Sequence, residues 1–444
     1  MAFSERTWRR WRARFGEQDP LVRSVGQWLG SWQWTAGRFD DAAEPAHRLR
    51  EMQGDDDTPA DALRVLRLTA AVHRAEGAFV TAADMAGTAY ERARGTFGEG
   101  DPVTLELARG AAVNLRLSGG FRQAEELDRR ALALKRSLFG KGDRSLLITE
   151  DGLAVTARER GRYATARRLH QSVHEAYGEA YGRDHPATIE AMRRLSESCR
   201  KAGDPVCSPE PAKHAHTEFT NRYERNRPWT PAGELTLSMV CARNGDLDAA
   251  HRHEAMACRR YRQVYNPRHP HSLSADIDPA VPLRHLGLAQ EAHQLDGAAL
   301  VALGGRLGAA HPLALVCAIS PATDLDALGR HEEARRRGEA VPQHSRFGFG
   351  EEHPNTLVCA GPLTLGLVVM GAETEGTALR EDTLRGTERV LESPGLLTAR
   401  CGRGERIDCG IVPLPLCPAG PRIPLARRVR GNRSSQSKPS RQQP

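Results

Sequence analysis

One short string recurs at a fixed distance along the chain. FGEGDP at residues 97–102 returns in steps of 42 residues as FGKGDR (139–144), YGRDHP (181–186), YERNRP (223–228), YNPRHP (265–270), LGAAHP (307–312) and FGEEHP (349–354), and FGEQDP at 15–20 is an earlier copy. A second marker keeps the same register: Gly77, Gly119, Gly161, Gly203, Gly245, Gly287, Gly329 and Gly371. Five residues beyond these glycines stand Ala82, Ala124, Ala166, Ser208, Ala250, Ala292, Ala334 and Gly376, and seven before them Ala70, Ala112, Ala154, Ser196, Ser238, Ala280, Ala322 and Thr364. Both slots require a small side chain, as closely crossing helices do. Each unit therefore predicts helix A after the boundary proline, a turn at the glycine, helix B, and the boundary loop. Proline suits a helix start because its missing N–H is unpaired there anyway, and glycine permits a left-handed turn. A lone hairpin cannot bury its apolar face, so the hairpins stack into a solenoid. Units are expected to open near Pro20, Pro59, Pro102, Arg144, Pro186, Pro228, Pro270, Pro312, Pro354 and Pro394.

Units such as SGGFRQAEELDRRALALKRSLFGKGD and YGRDHPATIEAMRRLSESCRKAGD resemble tetratricopeptide repeats of the long, kinesin-light-chain type over roughly residues 15–400. The resemblance implies an all-α, right-handed superhelical solenoid of stacked antiparallel helix pairs. Its expected parts are a capping half-repeat (1–19), regular repeats (20–204), divergent repeats (205–400) and an irregular basic tail (401–444). LLTARCGRGERIDCGIVPLPL (396–416) is similar to the closing segment of actinobacterial repeat proteins associated with FxSxx-COOH peptide systems. Such arrays serve as scaffolds, so the resemblance implies a non-enzymatic protein- or peptide-binding role, without fixing a ligand.

The formal charge of +7 suggests a nucleic-acid partner until it is located. Arg422, Arg427, Arg428, Arg430, Arg433, Lys438 and Arg441 lie in a terminal segment without acidic residues, and removing them leaves a neutral solenoid. That segment, rich in Ser, Gln and Pro, is expected to be disordered. Nucleic-acid or acidic-surface binding through it is the alternative function, and a degenerate repeat protein without a partner is another. SERTWRRWRARFG (4–16) aligns with the end of a helix B and is expected to cap the array rather than anchor it to a membrane. With no bilayer-length apolar run and no signal-peptide pattern, the expectation is a cytoplasmic protein with no membrane partner.

No catalytic, cofactor or metal site is expected. No G-x-x-x-x-G-K-[ST] occurs, and GKGDRS (140–145) belongs to the repeat boundary. The nine cysteines form no C-x-x-C; Cys199 and Cys241, like Cys317 and Cys359, repeat one slot expected to be small and buried. His185, His269, His311 and His353 belong to the boundary motif, HRHE (251–254) is not H-E-x-x-H, and His170 with His174 is expected on a solvated face.

The candidate site is the concave surface lined by the A helices. Positions three and ten before each turn glycine lie nearly two helical turns apart and share a face. The nearer row holds Arg74, Arg116, Arg158 and Arg200, followed by Arg284; the farther holds Arg67, Arg109, Asp151 and Arg193. Two guanidinium rows suit an acidic segment or a free C-terminal carboxylate, which a planar fork grips bidentately. The asparagines with which the resembling family holds a ligand's backbone are replaced here by Arg109, Gly110, Asp151, Gly152 and Arg193. Finally, Pro279, Pro282, Pro321 and Pro362 fall inside A helices, which are expected to break there at a cost of about 3 kcal/mol each.

Overall fold

Every boundary loop that the structure describes delivers the chain into a new helix. The computed structural model describes residues 2–53, 58–140, 142–202, 209–222, 227–277, 280–349, 353–358, 367–368 and 371–390. After α1 (Ala2–Phe15) the helices follow in A–B pairs: α2 (Pro20–Thr35) with α3 (Phe39–Glu51), α4 (Pro59–Ala75) with α5 (Phe79–Phe97), and α6 (Pro102–Leu117) with α7 (Phe121–Leu138). Next come α8 (Arg144–Glu159) with α9 (Tyr163–Tyr181), α10 (Pro186–Ala202) with α11 (Pro209–Arg222), and α12 (Trp229–Arg243) with α13 (Leu247–Tyr265). In the next unit helix A is divided into α14 (Pro270–Ala275) and α15 (Ala280–His285), which precede α16 (Ala289–Leu307). Then come α17 (Pro312–Ala327) with α18 (His331–Gly348), and α19 (Pro354–Val358) with α20 (Glu373–Val390). Among the described residues no strand occurs.

The repeat chemistry operates as local physics requires. The turn glycines Gly77, Gly119, Gly161, Gly245, Gly287, Gly329 and Gly371 all have φ between +73° and +88°. Ala82, Ala124, Ala166, Ala250, Ala292 and Ala334 are wholly buried, and Ala70, Ala112, Ala154, Ala280 and Ala322 nearly so. At the helix starts Asp19, Asp101 and Asp143 accept from Leu21, Val103 and Ser145 N–H at 2.7–2.8 Å. Such caps occupy donors that the helix itself leaves unpaired. α1 packs on α2 through Trp8, which is buried and donates Nε1–H to the Val22 carbonyl at 3.1 Å.

The helix break expected from proline occurs in one unit and not in another. The chain does divide between α14 and α15; Pro279 lies outside the described residues, and Pro282 falls within α15. Pro321, by contrast, lies inside the continuous α17, so the expected break there is corrected. A proline removes one helical hydrogen bond, and burial of Leu315, Ile319, Ala322 and Leu325 on both sides of it holds the flanking turns together. Pro362, Pro394, Gly203 and the whole of 401–444 lie outside the described residues.

The solenoid winds tightly enough to touch itself. His269 Nε2 donates to the Arg74 carbonyl (3.3 Å), His311 Nε2 to that of Leu117 (2.9 Å) and His353 Nε2 to that of Glu159 (2.9 Å). These pairs are 194 or 195 residues apart, between four and five repeat units. In each ring Nδ1 meanwhile accepts the backbone N–H two residues ahead, at 3.0–3.2 Å, capping its own helix. One neutral tautomer thus serves a cap and a contact between successive superhelical turns. Phe39 stacks on Tyr265 at 5.5 Å, and Phe79 meets His269 and His271 at 5.9 and 5.6 Å, forming an aromatic seam between the turns. α12 starts the second turn, and every residue from Thr230 to Val240 is buried. A helix this apolar suits such a position, and its one carboxylate, Glu234, is paired with Arg260.

Candidate functional site

The inner faces of α2, α4, α6, α8 and α10 line a cavity of about 160 Å³. Arg67, Arg74, Arg109, Arg116, Arg144 and Arg194 reach it, against the carboxylates of Asp128, Asp151 and Glu190. Of the seven arginines assigned from sequence, Arg67, Arg74, Arg109 and Arg116 therefore converge on one cavity, whereas Arg158, Arg193 and Arg200 do not line it. Arg144, expected only as a helix start, lines it too, as do Arg194 and Tyr177.

The nearer row is built into the scaffold. Arg74, Arg116 and Arg158 are buried, and the Arg200 side chain is 15% exposed. Arg74 Nη1 donates to Asn114 Oδ1 at 3.2 Å, and Arg116 Nη1 to Thr156 Oγ1 at 3.4 Å, each 40 residues ahead on the next A helix. Arg116 also pairs with Asp128, twelve residues on. Arg284 repeats both reaches, to Asp324 at 2.7 Å and Asp296 at 3.1 Å. These guanidiniums are rungs between neighbouring repeats. Gly152 makes room for one of them: a Cβ there would lie 2.9 Å from Asp128 Oδ2 and 3.1 Å from Arg116 Nη2. Arg158 and Arg200 bind acids of their own helices, Glu159 at 2.9 Å and Glu197 at 2.7 Å.

The farther row divides. Arg193 is fully buried, with both prongs on Glu190 at 2.7 and 2.9 Å and a third donor on Thr236 Oγ1 at 3.1 Å. Arg67 and Arg109 instead meet one carboxylate, Glu106, at 3.5 and 2.7 Å, and keep side chains 27% and 17% exposed. Gly110, beside Arg109, has open space where a Cβ would be, so backbone is accessible there.

The cavity's acids are tuned by burial and by these cations. Burial raises the carboxyls of Asp128 and Asp151 above the ordinary range, and Arg116 and Arg194 offset this only in part. Burial pushes Glu190 the same way, but Arg193 and Arg194 outweigh it and hold it below. Just behind the cavity wall Lys135, buried, donates to Thr149 Oγ1 at 2.8 Å, and desolvation lowers its ammonium to about 8.

His170 is not on a solvated face, as its spacing from His174 suggested. It is fully buried with Nδ1 2.8 Å from Ser198 Oγ, and His174 is half-buried. Its slot is that of Asp128, Glu254 and Asp296, buried polar side chains in their own units, whereas Ala86 and Ala212 fill the same slot in two others. Cys199 and Cys317 are buried, Cys241 is half-buried, and Cys359 lies outside the described residues. No helix of the described residues is long and apolar enough to cross a membrane.

Two stretches match tetratricopeptide-repeat family models, residues 145–206 and 235–271. Among solved structures, a Rap protein complexed with Competence and Sporulation Factor aligns over 83% of this chain and 99% of its own, at 8% identity and a TM-score of 0.56. Kinesin light chain TPR-like repeats from Podosopora anserina align over 47% of this chain and 97% of theirs, at 16% identity and a TM-score of 0.38. Aspartyl phosphate phosphatase F from Bacillus subtilis aligns over 82% and 94%, at 10% identity and a TM-score of 0.46. No curated protein matches. The two matched stretches are tetratricopeptide repeats, and the described helix pairs form an all-α solenoid.

Proposed function

We propose that this tetratricopeptide array is a non-enzymatic binding scaffold whose inner groove, between α4 and α10, takes an acidic protein segment or a peptide ending in a free carboxylate. One observation carries the reading: Arg67 and Arg109 place two partly exposed guanidiniums on a single carboxylate at a cavity where arginines outnumber acids. An incoming carboxylate meets a cationic wall there without breaking the buried rungs that hold the repeats together. Two likenesses support it. The Rap protein of similar fold was solved in complex with a factor, and residues 396–416 resemble the end of proteins associated with FxSxx-COOH peptide systems.

A peptide library displayed with free C-termini, and the same library amidated, would be panned on the full chain. The expected result is enrichment of acidic or carboxylate-ended sequences that weakens as salt rises. Changing Arg67 and Arg109 together to Gln should abolish it while leaving the helical circular dichroism and the melt unchanged. Enrichment that survives the double substitution, or none from either library, refutes the groove.

A further inference from the structure

Away from the groove, three helices bring together two imidazoles and a carboxylate that no short sequence motif joins. His216 on α11, Glu234 on α12 and His253 on α13 offer ligand atoms that all lie within 4.8 Å of one another. His216 Nε2 is 3.1 Å from Glu234 Oε2, and His253 Nδ1 is 2.8 Å from Oε1. The two rings stand edge to face, 72° apart with centroids 5.5 Å from each other. The Glu234 side chain is wholly buried, whereas the imidazoles are 17% and 23% exposed, so the cluster has a closed floor and an open mouth.

We infer that His216, Glu234 and His253 form a binding site for one divalent transition-metal ion of the zinc type. Two histidines and a glutamate, with a water in the fourth place, is a ligand set that zinc takes. Zinc bonds of about 2.0–2.1 Å in a tetrahedron put ligand atoms about 3.3 Å apart. Both nitrogen-to-oxygen separations, 3.1 and 2.8 Å, fall a little below that value, and all the ligand atoms lie within 4.8 Å of one another. Imidazole donors favour zinc, copper or nickel over magnesium or calcium. Arg260 pairs with Oε2, which also faces His216, and so orients the carboxylate with Oε1 toward His253. The ion would tie the outer helices of two neighbouring repeats to the inner helix between them.

The test uses the full chain, stripped by chelator and dialysed, titrated with zinc by calorimetry and with cobalt by visible absorption. The expected result is one equivalent bound, a tetrahedral cobalt spectrum without the thiolate charge-transfer band that cysteine ligation would give, and a melt shifted upward by zinc. His253→Asn should weaken binding at least about tenfold, and His216→Asn with His253→Asn should abolish it. Because both rings are partly exposed, these variants should keep the metal-free melt, which buried Glu234→Gln need not. No uptake, or uptake unchanged in the double variant, overturns the site.

Discussion

Two turn glycines of one conformation but different surroundings separate backbone strain from contact between superhelical turns. Gly77 (φ +80°) and Gly245 (φ +84°) both take the left-handed conformation that ends helix A. Alanine at either position should cost about 1–2 kcal/mol for that conformation alone. A Cβ on Gly245 would meet nothing within 4 Å, whereas on Gly77 it would lie 2.3 Å from Cδ and 3.0 Å from Cγ of Pro270. A proline ring cannot rotate away, so the second turn must shift. The shift strains His269 Nε2 on the Arg74 carbonyl and Arg306 on the Glu76 carbonyl, and it loosens the packing of Phe79 on His269. Overpacking of this kind adds about 1–3 kcal/mol, so Gly77→Ala should cost about 2–5 kcal/mol in all. Urea melts followed by circular dichroism would give the totals. Hydrogen exchange would locate them: Gly77→Ala should speed exchange near 73–79 and, far away in sequence, in α14, while Gly245→Ala should affect only its own turn. Equal costs, or no change in α14, would mean that the turns do not bear on each other in solution.

Three further outcomes follow. Lys135 has a folded-state value of about 8 against an unfolded 10.5, so between those values the unfolded chain holds a proton that the folded one has shed, and stability rises with pH across that window. Lys135→Met should flatten this rise in pH-resolved melts and add about 1–3 kcal/mol at neutral pH. His269 and His353 are held neutral by burial, at about 3 and about 4, so below pH 6.5 the unfolded chain takes up protons that the folded one refuses. Stability should fall by about 1.4 kcal/mol per pH unit for each histidine, and exchange in α14 should quicken in acid before that in α6. Arg116→Gln should cost about 3–5 kcal/mol because it leaves buried Asp128 uncompensated, while Arg67→Gln, at a partly exposed pair, should cost under about 1 kcal/mol; equal losses in chemical denaturation would contradict the distinction between rung and wall.

Helix starts at Pro59, Pro102, Pro186 and Pro312, the glycine turns and the buried alanine slots were legible in the sequence because each depends on residues within one repeat. Contacts between superhelical turns were not, since 194 residues is no multiple of 42 and joins different slots. A partial signal was present: the boundary residue is Asp at 101 and 143 but His at 269, 311 and 353, where a donor is needed besides the capping acceptor, although His185 caps its helix in the same way within the first turn. Four arginines of the two rows, Arg67, Arg74, Arg109 and Arg116, share one cavity and three do not, and their pairing had to be seen in three dimensions. The steps of 40 to Asn114, Thr156 and Asp324, and of 12 to Asp128 and Asp296, would have revealed the rungs. His216, Glu234 and His253 come from three helices, and no local spacing announces them.

The contact between turns changes how such a chain can fold. An open solenoid has interactions only between adjacent units, so it can nucleate anywhere, and its ends fray one hairpin at a time. Here units about 194 residues apart also bind each other. Closing a flexible loop of that size rather than one of 42 residues costs about 1.4 kcal/mol more in chain entropy. Native contacts therefore have a long mean sequence separation for an all-helical protein, which slows folding. The hairpins of residues 20–202 can assemble as soon as they are made, and the second turn has a surface to dock on only once they have. In exchange, the last units are fastened to the first turn through His311 and His353, so the C-terminal end of the array is not free to peel away alone.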